Sequence, residues 1–180
     1  GNGLLDDWCA AVWGESHDEG GQRAARGQVS PGLLKQLLAD GFFSAPAPKS
    51  TGREYFNLDW LRQRAGNSLD DLPPEDVLAT LTCLTARTIT AAATGTDEII
   101  LCGGGIHNAT LVNEIRQFAD APVVTADSRG VPADALEALA FAWLGWRALS
   151  GQKTAWAAVT GAKQDSVSAG LWGIGFLKKA

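Results

Sequence analysis

The chain has 180 residues, 46% of them hydrophobic and 19% charged, with a formal net charge of −5. That composition excludes a disordered chain, and without a run of about 18 apolar residues it excludes a membrane-spanning helix. There is no long basic block and no alternation of basic and aromatic residues, so a nucleic-acid surface is not expected either.

The first segment, GLLDDWCAAVW, places Leu4, Leu5, Trp8, Ala11 and Val12 at helical spacing, and Gly14 is its stop signal. No basic or apolar leader precedes it and the chain contains no methionine, so it is expected to be processed, tagged or cut from something longer. GESHDEGGQRAARGQVS reads as polar loop with room for one helical turn. Ser30 is a cap residue with Pro31 at the first helical position, and the helix should run through LLKQLLAD to Gly41. The prolines of FFSAPAPKSTGREYF disfavour regular structure. Asn57 is expected to cap a short helix, LDWLRQRA, that stops at Gly66. A longer helix should begin near Pro73 and Pro74, with Glu75 and Asp76 in its dipole-favoured first turn, and end before Gly95. EIILC then reads as a buried strand, residues 108–118 as a helix, PVVTAD as a second strand and residues 131–150 as a strong helix followed by Gly151. The remaining tail is glycine-punctuated and unassigned. The order predicts an α/β fold rich in helix, whose two short strands are too few for an independent sheet of normal size.

Four features carry candidate chemistry. Gly103, Gly104 and Gly105 break the strand EIILC before a helix, an entropically costly arrangement. Such a turn either simply reverses the chain or brings backbone N–H groups up to an anion or nucleotide at the sheet edge. A dinucleotide fingerprint would need glycine where Asn108 stands, although Asp127 lies near the expected spacing of about 20 residues. His107 beside the glycines is either a phosphate donor or a polar helix-start residue. Glu137 is the only charge in ALEALAFAWLGW, so it must be paired, solvent-exposed, or turned to a polar ligand. Lys49, Ser50, Thr51, Gly52, Arg53 and Glu54 are consecutive in a loop, a donor density that suits either an oxyanion site or an ordinary solvated loop. Cys9, Cys83 and Cys102 form no C-x-x-C pair, which suggests a reducing cytoplasm. His17 and His107 have no ligand-spaced partners, so zinc is not expected. Neither a Walker A loop nor a nucleophile elbow is present.

Taken together, GNGLLDDW, PKSTGREYFN, LPPEDVLATL, LCGGGIHNATL, EALAFAW and VTGA resemble, in order and spacing, the anhydro-N-acetylmuramic acid kinase family. The resemblance spans nearly the whole chain. It implies the C-terminal lobe of a two-lobed, actin-like (ribonuclease H-like) sugar kinase, with ATP bound between the lobes and Mg2+ on its phosphates. Such kinases open the 1,6-anhydro ring of anhydro-N-acetylmuramic acid and phosphorylate O6 to give N-acetylmuramic acid 6-phosphate, a step of peptidoglycan recycling. The resemblance further implies that Gly103, Gly104, Gly105 and Asn108 line the nucleotide site and that Glu137 faces the sugar. Residues 49–54 would form an active-site loop. Asn2 would sit beside the catalytic aspartate.

That aspartate begins an Asp-(Thr or Cys)-Gly-Pro-Gly-Asn motif in the family, of which only Gly1 and Asn2 stand here. The expectation is therefore a chain without catalytic base or N-terminal lobe, inactive by itself and able to pair with that lobe or with a second copy. Where Gly3 stands, the family usually has a larger apolar residue. The alternative is a non-catalytic nucleotide-binding or interaction module. Another possibility is a lobe whose exposed face is covered by a partner chain, which would account for seven tryptophans: Trp8, Trp13, Trp60, Trp143, Trp146, Trp156 and Trp172.

Overall fold

The computed structural model describes residues 2–157 and 161–167. Gly1, Val159 and Thr160 of VTGA, Trp172 and the Lys178-Lys179 pair lie outside the described residues. The chain divides into two compact units, the first comprising Gly1–Ala45 and Thr51–Asp134, the second Pro46–Ser50 and Ala135–Ala180.

The first unit opens with α1 (Gly3–Trp13), closed by Gly14 at φ 70° as the sequence predicts. Two 3-10 turns, Glu19–Gly21 and Ala24–Arg26, occupy the polar loop. In the first of them Asp18 accepts the amides of Arg23 (2.8 Å) and Ala24 (3.0 Å), which satisfies its buried carboxylate. In α2 (Pro31–Leu38), Ser30 accepts the Leu33 amide and Pro31 occupies the first helical position. The helix stops at Leu38 rather than reaching Gly41. Asp40 accepts the Phe42 amide at 2.8 Å and starts α3 (Gly41–Ser44), a turn within a stretch expected to be irregular. Asn57 caps α4 (Leu58–Ala65) through the Trp60 amide at 3.0 Å.

The long helix α5 (Pro74–Ala92) is the centre of this unit. Val77, Leu78, Leu81 and Ala86 are fully buried, and so are Thr80 and Thr82. Buried threonine is tolerated because its hydroxyl bonds back along the helix, Thr82 to the Leu78 carbonyl at 2.9 Å and Thr80 to Asp76 at 2.7 Å. Thr80 also accepts the Ser30 amide at 2.9 Å and so ties α2 to α5. The N-terminal half of α5 packs with Leu4, Leu5 and Cys9 of α1, Leu33, Leu34 and Leu37 of α2, and Trp60 and Leu61 of α4. Burial pushes the Cys9 thiol up to about 11, with Asp18, Asp6 and Glu15 adding to the rise. Ala86, nearer the C-terminal end of α5, packs with Leu111 and Ile115 of α6 (Ala109–Phe118) and with Leu101 and Val123 of the sheet.

The sheet consists, among the described residues, of β1 (Ile99–Leu101) and β2 (Val123–Thr125), paired in parallel with Ile99 opposite Val123. With α6 as the crossover, this is a βαβ unit. The second unit contains α7 (Leu136–Leu149), which begins five residues later than the expected start at 131, after a 3-10 turn Ala133–Ala135. Thr154 forms an antiparallel bridge with Ser166. No helix among the described residues is long and apolar enough to cross a membrane.

Asp40 is the most heavily bonded side chain of the first unit. It is 1% exposed, and it receives the Trp60 indole N–H (2.8 Å), the Tyr55 hydroxyl (3.0 Å), the Phe42 amide and the Arg64 guanidinium (2.7 Å). Burial alone would raise its pKa, but those four donors hold the carboxyl below its ordinary value. A depressed folded pKa gives stability that is present above the unfolded value of about 3.9 and is lost as pH falls through the folded one. Asp40→Asn is therefore expected to lower stability by about 3 kcal/mol at neutral pH, since an amide turns a donor toward Trp60 or Tyr55. Urea denaturation as a function of pH should show the gap between wild type and variant closing below about pH 4.

Candidate functional site

The glycine turn stands at the end of β1. Gly103 has φ 71° and ψ −176°, a backbone region essentially reserved to glycine, and Gly104–His107 then form a 3-10 turn. Asn108, expected as the first helical residue, is instead the N-cap of α6: it is buried and accepts the Leu111 amide at 2.9 Å. Gly21 packs directly onto this cap. A Cβ at Gly21 would overlap the Asn108 side-chain oxygen, and Thr110 donates to the Gly21 carbonyl at 2.8 Å. The loop holding Asp18 is thereby fixed against the start of α6.

Asn2, at the start of α1, meets this turn, and Arg53 packs on the first turn of the same helix. The Asn2 side chain lies over Gly105, 3.6 Å from where a Cβ would stand. Arg53 crosses the first turn of α1, packs where a Gly3 Cβ would project (3.4 Å) and pairs with Asp7 at 2.5 Å. The larger apolar residue usual in the family would compete with Arg53 for that space. Behind Arg53, the Asn57 amide donates to the carbonyls of Arg53 (3.3 Å) and Glu54 (3.0 Å). The Glu54 carboxylate folds back so closely onto Gly52 that a Cβ there would overlap it. Asn2 at the start of α1 and Asn108 at the start of α6 thus flank the glycine turn, while Arg53 lies on the first turn of α1.

A cavity of about 330 Å³ opens at this convergence, lined by Asn2, Asp6, His17, Asp18, Gly104, His107 and Asn108 among others. Its size suits part of a nucleotide. Its carboxylates are largely engaged within the protein. Asp18 is spent on two amides, Glu19 pairs with His17 at 2.9 Å and His107 pairs with Asp134 at 2.8 Å. Burial pushes Asp6 up, partly offset by His17 and Arg53. No group of three or more His, Cys, Asp or Glu among the described residues is placed to hold a metal ion.

The remaining candidates lie elsewhere. Glu54 lines a separate cavity of about 540 Å³ with Tyr55, Asn57, Trp60 and Arg64. Thr51 belongs to the first unit, whereas Lys49, Ser50 and Glu137 belong to the second. Glu137 is exposed in the first turn of α7, where the helix dipole favours it. Asp127, at ribose-binding spacing in the sequence, accepts the Ala133 amide at 3.2 Å. Asp6, Ser16, His17, Asp18 and Glu19 were not expected at the site. For residues 16–19 the density of titratable groups in SHDE is the only local signal, and it is equally typical of a solvated loop; Asp6 reads simply as a first-turn carboxylate of α1.

The sequence matches the family model described as anhydro-N-acetylmuramic acid kinase over residues 1–172. The protein named anhydro-N-acetylmuramic acid kinase from Pseudomonas fluorescens is 46% identical over 168 residues, covering 91% of this chain and 46% of the relative. Its namesake in Saccharophagus degradans is 42% identical over 176 residues, covering 96% and 47%. That of Chromobacterium violaceum is 41% identical over 177 residues, covering 96% and 48%. The chain thus spans about half the length of the curated relatives it matches.

The glycines of the turn are not equivalent. Gly103→Ala forces a side chain into a forbidden region and should cost about 1–3 kcal/mol. Around Gly104 nothing lies within 4 Å of a new Cβ, so Gly104→Ala should leave stability within about 0.5 kcal/mol. Thermal unfolding of the two variants checks the difference.

Proposed function

Because this chain belongs to the anhydro-N-acetylmuramic acid kinase family, we propose that it forms the nucleotide-facing C-terminal lobe of an actin-like sugar kinase acting on anhydro-N-acetylmuramic acid. The observation that carries this reading is the convergence of Asn2, Gly104 and Asn108 on one cavity, where the glycine turn meets the starts of α1 and α6. ATP, with Mg2+ on its phosphates, would supply the phosphoryl group that ends on O6 of the sugar.

The chain's own residues supply binding and orientation. The turn is glycine at its first three positions, so a phosphate can approach the backbone to contact the amides of Gly104 and Gly105, and the N-terminus of α1 adds positive potential. Arg53, paired with Asp7 on the first turn of α1, is proposed to contribute positive charge to the site, in line with catalysis by positioning and charge stabilisation. Lys49, Ser50, Thr51 and Glu54 complete the loop proposed to border the site. Glu137 is proposed to accept hydrogen bonds from the sugar, which accounts for a lone carboxylate on an otherwise apolar helix. The aspartate that would activate the attacking water is not among these 180 residues in the family motif. Alone, the chain is proposed to bind nucleotide without turning over sugar.

Calorimetric titration should show ATP and ADP binding to the chain and no NADH binding. Tight NADH binding that depends on Asp127, or sugar turnover by the chain alone, would overturn the reading. Supplied with the N-terminal half of a relative, the chain should gain MgATP-dependent phosphorylation of the anhydro sugar. Glu137→Ala should then reduce that activity about 30-fold, the equivalent of one charge-assisted hydrogen bond of about 2 kcal/mol. Nucleotide binding with no activity in that pairing would favour a non-catalytic module.

A further inference from the structure

The connection leaving β2 makes an excursion that returns to the start of the glycine turn. Asp127 lies in a 3-10 turn, Ala126–Arg129, closed by Gly130 at φ 77° and by the Val131 amide on the Ala126 carbonyl at 3.1 Å. Ser128 donates to the Thr125 carbonyl at 2.6 Å, and Arg129 pairs with Glu98, the residue before β1. So anchored, the Asp127 carboxylate accepts the N–H of Ala133 at 3.2 Å, and the carbonyl of Ala133 accepts the N–H of Gly103 at 2.9 Å. Ala133 itself is 1% exposed, so both of these hydrogen bonds meet at a residue in the interior.

Glycine visits several backbone wells with similar ease, so the sequence GGG does not by itself choose how its amides point. Gly103 holds one particular conformation, and its N–H is bonded to Ala133 rather than to anything in its own turn. We propose that Asp127 is a positioning residue for the glycine turn. Through residue Ala133, whose N–H it accepts and whose carbonyl accepts the Gly103 N–H, it orients the Cys102–Gly103 peptide plane, and hence the direction in which the amides of Gly104 and Gly105 are presented to a nucleotide phosphate. This differs from the ribose contact that an acidic residue at such spacing makes in dinucleotide folds, because the Asp127 oxygen is committed to a backbone amide of the protein itself. The consequence for ligand rests on the nucleotide reading above; the relay of hydrogen bonds does not.

The test compares Asp127→Ala with Asp127→Asn, which keeps an acceptor oxygen in place. Amide hydrogen exchange is followed at Gly103 and Ala133, with Leu81 in the core as reference, and ADP affinity is measured by calorimetry. In Asp127→Ala, exchange at Gly103 should rise about tenfold, the equivalent of one hydrogen bond, while Leu81 is unchanged. ADP affinity should fall in the same variant, and Asp127→Asn should restore both. Unchanged exchange at Gly103 in Asp127→Ala would overturn the proposal, as would faster exchange with undiminished ADP affinity. If the wild-type chain binds no ADP, the nucleotide reading fails, and the exchange data alone decide whether Asp127 holds the turn.

Discussion

Burial of α5 is the constraint on which the first unit depends. From Val77 to Ala86 every residue but Thr85 is buried, nine in all. A helix of that kind must be covered on several sides. The cover is supplied by α1, α2 and α4 around its N-terminal half and by α6 and the sheet further along. Two of those covering helices, α1 and α6, carry the site at their starts: Asn2 immediately precedes one, Asn108 caps the other through the Leu111 amide, and both line the same cavity. The hydrophobic effect is non-directional, yet by pressing both helices onto one partner it fixes where their termini lie.

Polar groups then set the detail that apolar packing leaves open. Asp18, Asp40, Thr80 and Asn108 are all buried, and each has a named hydrogen-bond partner. Each also joins segments distant in sequence, or fixes a loop against a helix. Asp40 bridges the α2–α3 junction to Tyr55, Trp60 and Arg64. Asn108 receives the approach of Gly21. An unpaired buried polar group costs more than a made hydrogen bond contributes, so such groups specify one arrangement of the loops more sharply than they add to stability.

The second unit presents the opposite case. α7 is apolar on every side apart from Glu137 and Arg147, yet none of its described residues is buried, and Phe141 is 73% exposed. Trp143 stacks on Trp156 with ring centroids 5.8 Å apart, and the Arg147 guanidinium lies over Trp143. This local cluster covers a small part of the helix. The sequence made α7 legible as a helix because the proline ahead of it and the Gly151 that follows it are local signals. Which surface covers its apolar faces is not a local property, and no motif in the helix encodes it.

Across the chain, what could be read from sequence was what short-range physics decides. Caps at Ser30 and Asn57, stops at Gly14 and Gly66, proline at the first turn of α2 and α5, and a strand that breaks at three glycines each follow from interactions within a few residues. The family motifs located the glycine turn and the loop at Arg53. The sequence misplaced the end of α2 because Asp40, a residue that looked like helix, instead caps the next turn once Trp60 and Arg64 reach it. It gave Asp127 a ligand's spacing but not its actual partner, the Ala133 amide. Nor could it bring Asn2 to Gly105 or Arg53 to Asp7. Those contacts join residues tens of positions apart, and their energy exists only after α5 is buried and the chain has closed around it. The amino-acid sequence by itself determined most of the helices, the caps at Ser30 and Asn57 and the family; tertiary packing alone decided which of their ends share a cavity, because no interaction within a few residues distinguishes one long-range neighbour from another.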